Sequence, residues 1–142
     1  YATDISGEAL AVAQKNALRM QVTERMQFLH GSLLSPLPQP VDIITANLPY
    51  VPSAAIPELP PDIAQYEPRL ALDGGPNGTL LIEQLLSQAP SYLRPNGMLL
   101  LEIGSDQGFL VAEMARRTFP GAEVSIIQDF AGLDRLLRVQ CN

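Results

Sequence analysis

The sequence predicts an α/β protein with a mainly parallel sheet, covered by helices and ending in an antiparallel strand. Apolar runs of strand length alternate with segments whose apolar residues recur at helical spacing, which is the pattern of βαβ units. Only residues 129–133 join the last two strand-like runs. That connection is too short for a crossover helix, so the last two strands should be antiparallel neighbours.

The first 40 residues predict a strand, a helix and a second strand. The end of a strand at residues 1–5 precedes a helix at 7–20. Ser6 is a suitable N-cap because its hydroxyl can accept a hydrogen bond from the first helical turn. A short strand at 25–30 and a proline-rich connection at 35–40 follow. The helix has an apolar stripe formed by Ala9, Leu10, Ala13, Ala17 and Leu18.

The middle of the chain combines a buried strand with a long irregular segment. The nearly continuous apolar run at 41–46 predicts a strand covered on both faces. Residues 52–76 contain too many prolines for one regular element, and loops of this length are usually functional or disordered. A helix at 78–93 should close with a turn at 94–97 and lead into a strand at 98–103.

The last third predicts a helix at 106–119 and strands at 123–128 and 134–139. One face of this helix carries Phe109, Leu110 and Met114. The length of 142 residues fits one domain over the whole chain.

The amino-acid composition limits the classes of binding partner that are expected. The net charge is −6 and Lys15 is the only lysine, so broad contact with a nucleic-acid backbone is not expected. Cys141 is the only cysteine, which excludes an intrachain disulfide and suits a reducing compartment. No run approaches the about 18 apolar residues of a membrane span, so no membrane partner is expected.

The strand at 41–46 stops at Asn47-Leu48-Pro49-Tyr50, the most informative motif of the chain. The Asn47 amide oxygen can accept a hydrogen bond from a substrate N–H. Pro49 favours an extended Leu48, whose carbonyl can then point into a site, and Tyr50 offers a flat face. Two acceptors and a ring around one planar NH2 group suit amino-group methyl transfer. The motif alone leaves an ordinary Asn-Xaa-Pro turn as an equal alternative.

Other candidate residues follow the first two strands. Asp4 can hold ribose hydroxyls at a strand end, or can be an acid favoured by a helix dipole. Ser32 can hydrogen-bond an adenine edge, although a surface turn is the commoner role. His30 is expected to be a partly buried strand-end residue. No second histidine exists and the carboxylates lack ligand spacing, so no metal site is predicted.

Three glycine-containing motifs occur in the second half of the chain. The spacing in residues 73–78 fits neither a P-loop nor a dinucleotide fingerprint, so a tight turn before a helix is expected there. Glu102-Ile103-Gly104 and Gln107-Gly108, taken separately, also indicate structural turns.

Taken in order, these motifs resemble the release-factor glutamine N5-methyltransferase (HemK-type) family of Rossmann-like, S-adenosylmethionine-dependent methyltransferases. The Asn-Xaa-Pro-Tyr motif is shared with DNA and ribosomal-RNA amino methyltransferases, whereas Glu67-Pro68 and the glycine motifs in this order are more specific to the glutamine branch. The resemblance covers essentially the whole chain. Its matching residues are 2–6, Ala9-Leu10, Ala13, Asn16-Ala17, Asn47-Leu48-Pro49-Tyr50, Glu67-Pro68, Ala71-Leu72, Gly74-Gly75, Asn77-Gly78, 93–97, 101–104, Gln107-Gly108 and 129–135.

The resemblance implies roles for individual residues. Asn47 and the Leu48 carbonyl would accept both hydrogens of a glutamine amide, and Tyr50 would pack on that amide. It implies S-adenosyl-L-methionine as cofactor, a cytoplasmic location and a peptide chain release factor with a Gly-Gly-Gln motif as substrate in translation termination. Implied catalytic residues are Asn47, Leu48, Pro49 and Tyr50. Implied cofactor-binding residues are Asp4, Ile5, Ser32, Leu33 and Asn47. Implied substrate-binding residues are Asn47, Leu48, Pro49, Tyr50, Glu67 and Pro68.

The chain departs from the family pattern in three ways. Leu48 replaces a usual proline, and Ser32 replaces a usual acid near the adenine, which should weaken cofactor binding. The family's glycine-rich cofactor loop and first strand precede the Asp4 region, so the chain should be the C-terminal part of a catalytic domain. We therefore expect poor cofactor binding and little activity from the chain alone. We also expect a homodimer through unpaired strand edges.

Two other functions stay open at this point. A DNA or ribosomal-RNA amino-group methyltransferase would share the Asn-Xaa-Pro-Tyr motif, but the negative charge and the Glu67-Pro68 element weigh against it. A non-catalytic binding module on a methyltransferase scaffold is the other alternative.

Overall fold

A two-stranded parallel sheet and one helix form residues 1–40, the first of the two units into which the chain divides. The structure, a computed structural model, describes all residues from Tyr1 to Asn142. Strand β1 (Ala2–Asp4) pairs with β2 (Phe28–His30), and helix α1 (Gly7–Arg19) connects them. The strand predicted at 25–30 begins only at Phe28, and a 3-10 turn occupies Thr23–Arg25 before it.

Helix α1 begins as its sequence predicts. The Ala9 amide donates to Ser6 Oγ at 3.1 Å, which confirms the N-cap. The apolar stripe is narrower than predicted, because Leu10 and Ala17 are buried while Leu18 is 70% exposed. Leu10 and Ala17 are seven residues apart and so lie on the same face of the helix.

Ser6→Ala is expected to lower the free energy of unfolding by about 1 kcal/mol, because an N-terminal amide of α1 loses its acceptor. Urea denaturation at neutral pH measures the change. The exposed Ser105→Ala is the matched control. Equal stability of the two variants would show that the cap contributes nothing.

Four strands form the sheet of the second unit, residues 41–142, in the order β3-β4-β6-β5. They are β3 (Val41–Asn47), β4 (Leu93–Glu102), β5 (Glu123–Gln128) and β6 (Asp134–Gln140). Strand β3 is parallel to β4, and β6 is antiparallel to both of its neighbours. Three strands therefore share one direction and only the last is reversed, which confirms the predicted fold class.

Two predictions about β3 and β4 were wrong. Strand β3 is not covered on both faces, since only Ile44 is buried and Ile43 is 59% exposed. It is the edge strand of its sheet, and the long helices of this unit pack on β4, β5 and β6. Residues 94–97 are not a turn outside the strand. They form an irregular stretch within β4, between Leu93 and Met98.

Helices α4 (Leu80–Tyr92) and α5 (Gly108–Thr118) pack against each other and against this sheet. The buried face of α5 is not the predicted one, since Phe109 is 82% exposed and Leu110 is also exposed. Small residues face the sheet instead and allow a close approach of the helix backbone. The fully or nearly buried apolar residues of the two helices are Ile82, Leu85, Leu86, Ala89, Val111, Ala112 and Ala115.

The proline-rich segment at 52–76 contains three short elements and no single regular one, as predicted. They are a 3-10 turn at Ile56–Glu58 and helices α2 (Pro61–Tyr66) and α3 (Arg69–Leu72). None of the helices in the structure has both the length and the apolar character needed to cross a bilayer.

Candidate functional site

The Asn47-Leu48-Pro49-Tyr50 segment lies at the carboxyl edge of the four-stranded sheet. Asn47 ends β3 and is paired in register with Glu102, which ends β4. The Asn47 side chain is exposed, while Leu48, Pro49 and Tyr50 are half-buried. The carboxyl ends of parallel strands are where α/β sheets bind ligands. An accessible amide thus lies at that edge, followed by a partly covered ring.

The buried side chain of Gln107 joins three loops at this edge. Its Oε1 accepts a hydrogen bond from the Gly104 amide at 2.9 Å, just after β4. Its Nε2 donates to the Tyr50 carbonyl at 3.0 Å and to the Gly78 carbonyl at 3.3 Å. Gln107 itself is only 6% exposed, at the N-cap position of α5. One amide therefore connects the ends of β3 and β4 with the start of α4.

Residues 73–78 form the tight turn that the sequence predicted. The Gly74 amide donates to the Val51 carbonyl, and the Leu80 amide donates to the Gly74 carbonyl, both at 2.9 Å. Gly78 has a φ of +73°, and a Cβ atom there would lie 2.3 Å from the Tyr50 carbonyl oxygen. The turn thus packs directly on the backbone of the Asn47–Tyr50 segment.

The Tyr50 phenol is held between opposite charges. Its hydroxyl donates to Glu102 Oε1 at 3.2 Å, and Arg135 also interacts with it. Burial raises the pKa of Tyr50 above its usual value of 10.0, and the Glu102 carboxylate raises it further, while Arg135 opposes both. Asp129 Oδ2 in turn accepts from the Arg135 guanidinium at 3.3 Å. The phenol is therefore neutral and oriented at physiological pH.

Asp73 supports the loop that follows Tyr50. Its carboxylate accepts hydrogen bonds from Ser53 Oγ at 2.5 Å, from the Gly75 amide at 3.0 Å and from Arg69 Nε at 3.0 Å. The Ser53 hydroxyl, followed by the Gly75 amide, lowers the pKa of Asp73 below its usual 3.8. Glu67 and Pro68 lie at the junction of α2 and α3, and both are exposed.

Asp73→Asn is expected to be less stable than the parent chain at neutral pH and to approach it as the pH falls. Because folding lowers the pKa of Asp73, its carboxylate contributes stability above pH 3.8 and loses that contribution below it. Urea denaturation at pH 7 and pH 3 tests this, with the exposed Asp62→Asn as control. A stability difference that does not change with pH would contradict the prediction.

In the first unit, the predicted cofactor residues lie on two neighbouring loops. The Gly31 amide donates to the Asp4 carbonyl at 3.0 Å, and Thr3 Oγ1 donates to the Leu33 carbonyl at 2.8 Å. The loop containing Asp4 and Ile5 therefore lies beside the loop containing Ser32 and Leu33. Asp4 is exposed, and its Oδ1 accepts from the Ser6 amide at 2.7 Å.

His30 was predicted to be partly buried, and this was wrong. It is exposed at the end of β2, where its Nε2 lies 2.9 Å from the Ile5 carbonyl oxygen.

Sequence reasoning assigned no role to Gln107, Glu102 or Arg135. Their only sequence signals were the Gln-Gly pair before a helix, the Glu-Ile-Gly strand end and the position of Arg135 in the segment at 129–135. The polar contacts that bring them together join residues distant in the chain.

Comparison with known proteins identifies the relatives of this chain. It is 48% identical over 136 residues to the release factor glutamine methyltransferase of Moorella thermoacetica, covering 95% of this chain and 48% of that protein. It spans about half the length of the curated relatives it matches. No family model matches it.

Solved structures show the fold. A methyltransferase from Pyrococcus furiosus matches 98% of this chain and 60% of its own, with a TM-score of 0.71 and 19% identity. A release-factor-specific protein-(glutamine-N5) methyltransferase from Alicyclobacillus acidocaldarius matches 99% of this chain and 77% of its own, with a TM-score of 0.52 and 20% identity. The fold is therefore that of the S-adenosylmethionine-dependent methyltransferases.

Proposed function

We propose that this chain, a homologue of the release factor glutamine methyltransferases, supplies the glutamine-binding site of such an enzyme. The enzyme would methylate the side-chain nitrogen of a glutamine in a peptide chain release factor. The observation that carries this proposal is the exposed Asn47 amide at the carboxyl edge of the sheet, followed three positions later by Tyr50. The Tyr50 hydroxyl donates to Glu102, and the Tyr50 carbonyl accepts from Gln107.

Asn47 and Leu48 would bind the acceptor amide. The Asn47 side-chain oxygen and the Leu48 carbonyl would each accept one of its two N–H hydrogens, while the Tyr50 ring packs on its plane. This arrangement leaves the nitrogen lone pair directed away from both acceptors. Catalysis would then come from positioning and from a preorganised polar site. No strong base is required before transfer, since the proton can leave the nitrogen afterwards.

S-adenosyl-L-methionine would supply an electrophilic methyl group carried on a sulfonium. The first unit is compatible with this cofactor, because the exposed Asp4 carboxylate can accept hydrogen bonds from two ribose hydroxyls. We assign Ile5, Ser32 and Leu33 to the same cofactor on the strength of the family resemblance.

We assign Glu67 and Pro68 to substrate binding. Both are exposed in the segment that follows Tyr50 in the chain, where a protein substrate can reach them. Pro49 disfavours a helical conformation of Leu48 and would thereby leave the Leu48 carbonyl free for the acceptor amide.

A methyl-transfer assay tests the proposal. The chain, extended to the length of its curated relatives, is incubated with radiolabelled S-adenosylmethionine, a release factor and a ribosomal RNA as competing acceptors. Label on a release-factor glutamine, located by mass spectrometry, supports the proposal. Label on RNA alone, or on neither acceptor, overturns it.

A further inference from the structure

We infer that Gln107 is a positioning residue. By holding the Tyr50 carbonyl, it fixes the position of the Asn47–Tyr50 segment, which binds the acceptor amide. The catalytic effect of Gln107 rests on the proposed function, whereas its structural role does not. Gln107 touches none of the groups assigned to the acceptor amide, and its effect would pass through the backbone that it holds.

The hydrogen bonds of Gln107 define one orientation of its amide. A glutamine side chain has two N–H donors and one carbonyl acceptor. Both donors are used on carbonyl oxygens, of Tyr50 and Gly78, and the acceptor is used on the Gly104 amide. A flipped amide would set an oxygen against two carbonyl oxygens and an NH2 against an N–H. The three partners therefore fix the orientation of the Gln107 amide, and the Gln107 amide in turn fixes the positions of these three backbone groups.

The surrounding packing allows little adjustment. Gly78 approaches Tyr50 so closely that a Cβ atom would lie 2.3 Å from the Tyr50 oxygen and 2.7 Å from Gln107 Nε2. Tyr50 is only three residues after Asn47. A shift of the Tyr50 carbonyl would therefore be transmitted to Leu48 and Asn47. Displacement of a reacting group by about 1 Å can cost about 100-fold in rate.

Two substitutions distinguish the contribution of the Gln107 N–H donors from that of its carbonyl acceptor. Gln107→Glu, in its carboxylate form, keeps an oxygen for the Gly104 amide and removes both donors to Tyr50 and Gly78. Gln107→Met has similar size and removes all three hydrogen bonds. Gln84→Met, on the exposed side of α4, is the matched control for the change of side chain.

The first readout uses the chain as it stands and does not depend on activity. Titration of tyrosine labelled with ¹³C at Cζ follows the Tyr50 pKa, with Tyr50→Phe providing the assignment. We expect Gln107→Met, but not Gln84→Met, to move this pKa towards its usual value as the ring becomes more solvated. Hydrogen exchange of the Gly104 amide should remain slow in Gln107→Glu and accelerate at least tenfold in Gln107→Met.

The second readout uses the extended chain. We expect both Gln107 variants to lose about 100-fold in kcat, while the calorimetric Kd for S-adenosylmethionine stays within threefold of the parent value. An unchanged Tyr50 titration in Gln107→Met would overturn the inference, as would a kcat within threefold of the parent in both Gln107 variants. An inactive parent protein with the expected Tyr50 and Gly104 changes would reject the proposed function and retain the structural role of Gln107.

Discussion

Asn47→Ala is expected to lower kcat for methyl transfer to a release factor by about 10²- to 10³-fold, which is the usual cost of removing one preorganised polar group from an active site. The Asn47 side chain would accept one of the two N–H hydrogens of the acceptor amide. Without it, the nitrogen lone pair is no longer held in a single direction. The Leu48 carbonyl and the Tyr50 ring would remain, so some activity should persist.

The same substitution should leave folding almost unchanged. Asn47 ends β3 and its side chain is exposed, and exposed substitutions of this kind usually change stability by less than about 0.5 kcal/mol. Single-turnover transfer in the extended chain measures the loss, and urea denaturation checks the fold. Asn16→Ala, on the exposed surface of α1, is the control. If the activity of Asn47→Ala lies within tenfold of the parent activity, Asn47 does not have the proposed catalytic role.

Gly78→Ala is expected to destabilise the protein by about 3 kcal/mol or more, at the upper end of single substitutions. Two costs combine at this position. The φ of +73° is unfavourable for any residue with a side chain, by about 1–2 kcal/mol. The new Cβ would also lie 2.3 Å from the Tyr50 carbonyl oxygen, and the backbone cannot move away without breaking the Gln107 hydrogen bonds.

Gly132→Ala separates these two costs. Gly132 has a φ of +78°, but no atom lies within 4 Å of where its Cβ would be. This variant should therefore show only the conformational cost, about 1–2 kcal/mol. Denaturant unfolding of both variants at neutral pH gives the comparison. Equal losses for Gly78→Ala and Gly132→Ala would mean that the turn yields to the added methyl group, and that the site is less tightly packed than the structure shows.

Local sequence patterns were enough to predict most of the elements. The N-cap at Ser6, the strand that ends at Asn47 and the short link between β5 and β6 each depend on neighbouring residues. Helical spacing, strand alternation and capping chemistry act over a few positions, so they can be recognised without knowing the fold. The order of the motifs added the family resemblance, which the curated relatives confirm.

The tertiary structure alone decided which faces are buried. Phe109 and Leu110 point outwards, because Val111, Ala112 and Ala115 occupy the contact of α5 with its neighbours. Strand β3 is half exposed because it is the edge of its sheet, despite its apolar sequence. Periodicity shows that a helix or strand has an apolar face. It does not show which neighbour will cover that face, or how closely.

By itself, the sequence determined the order and type of the main strands and helices and the motif at the end of β3. Only the tertiary structure placed Gln107 against Tyr50, 57 positions away, and against Gly78, 29 positions away. The physical reason is the range of the interactions. Capping and periodicity are properties of adjacent residues, whereas the hydrogen bonds of a buried amide depend on which distant loops the packed sheet brings within 3.3 Å of it.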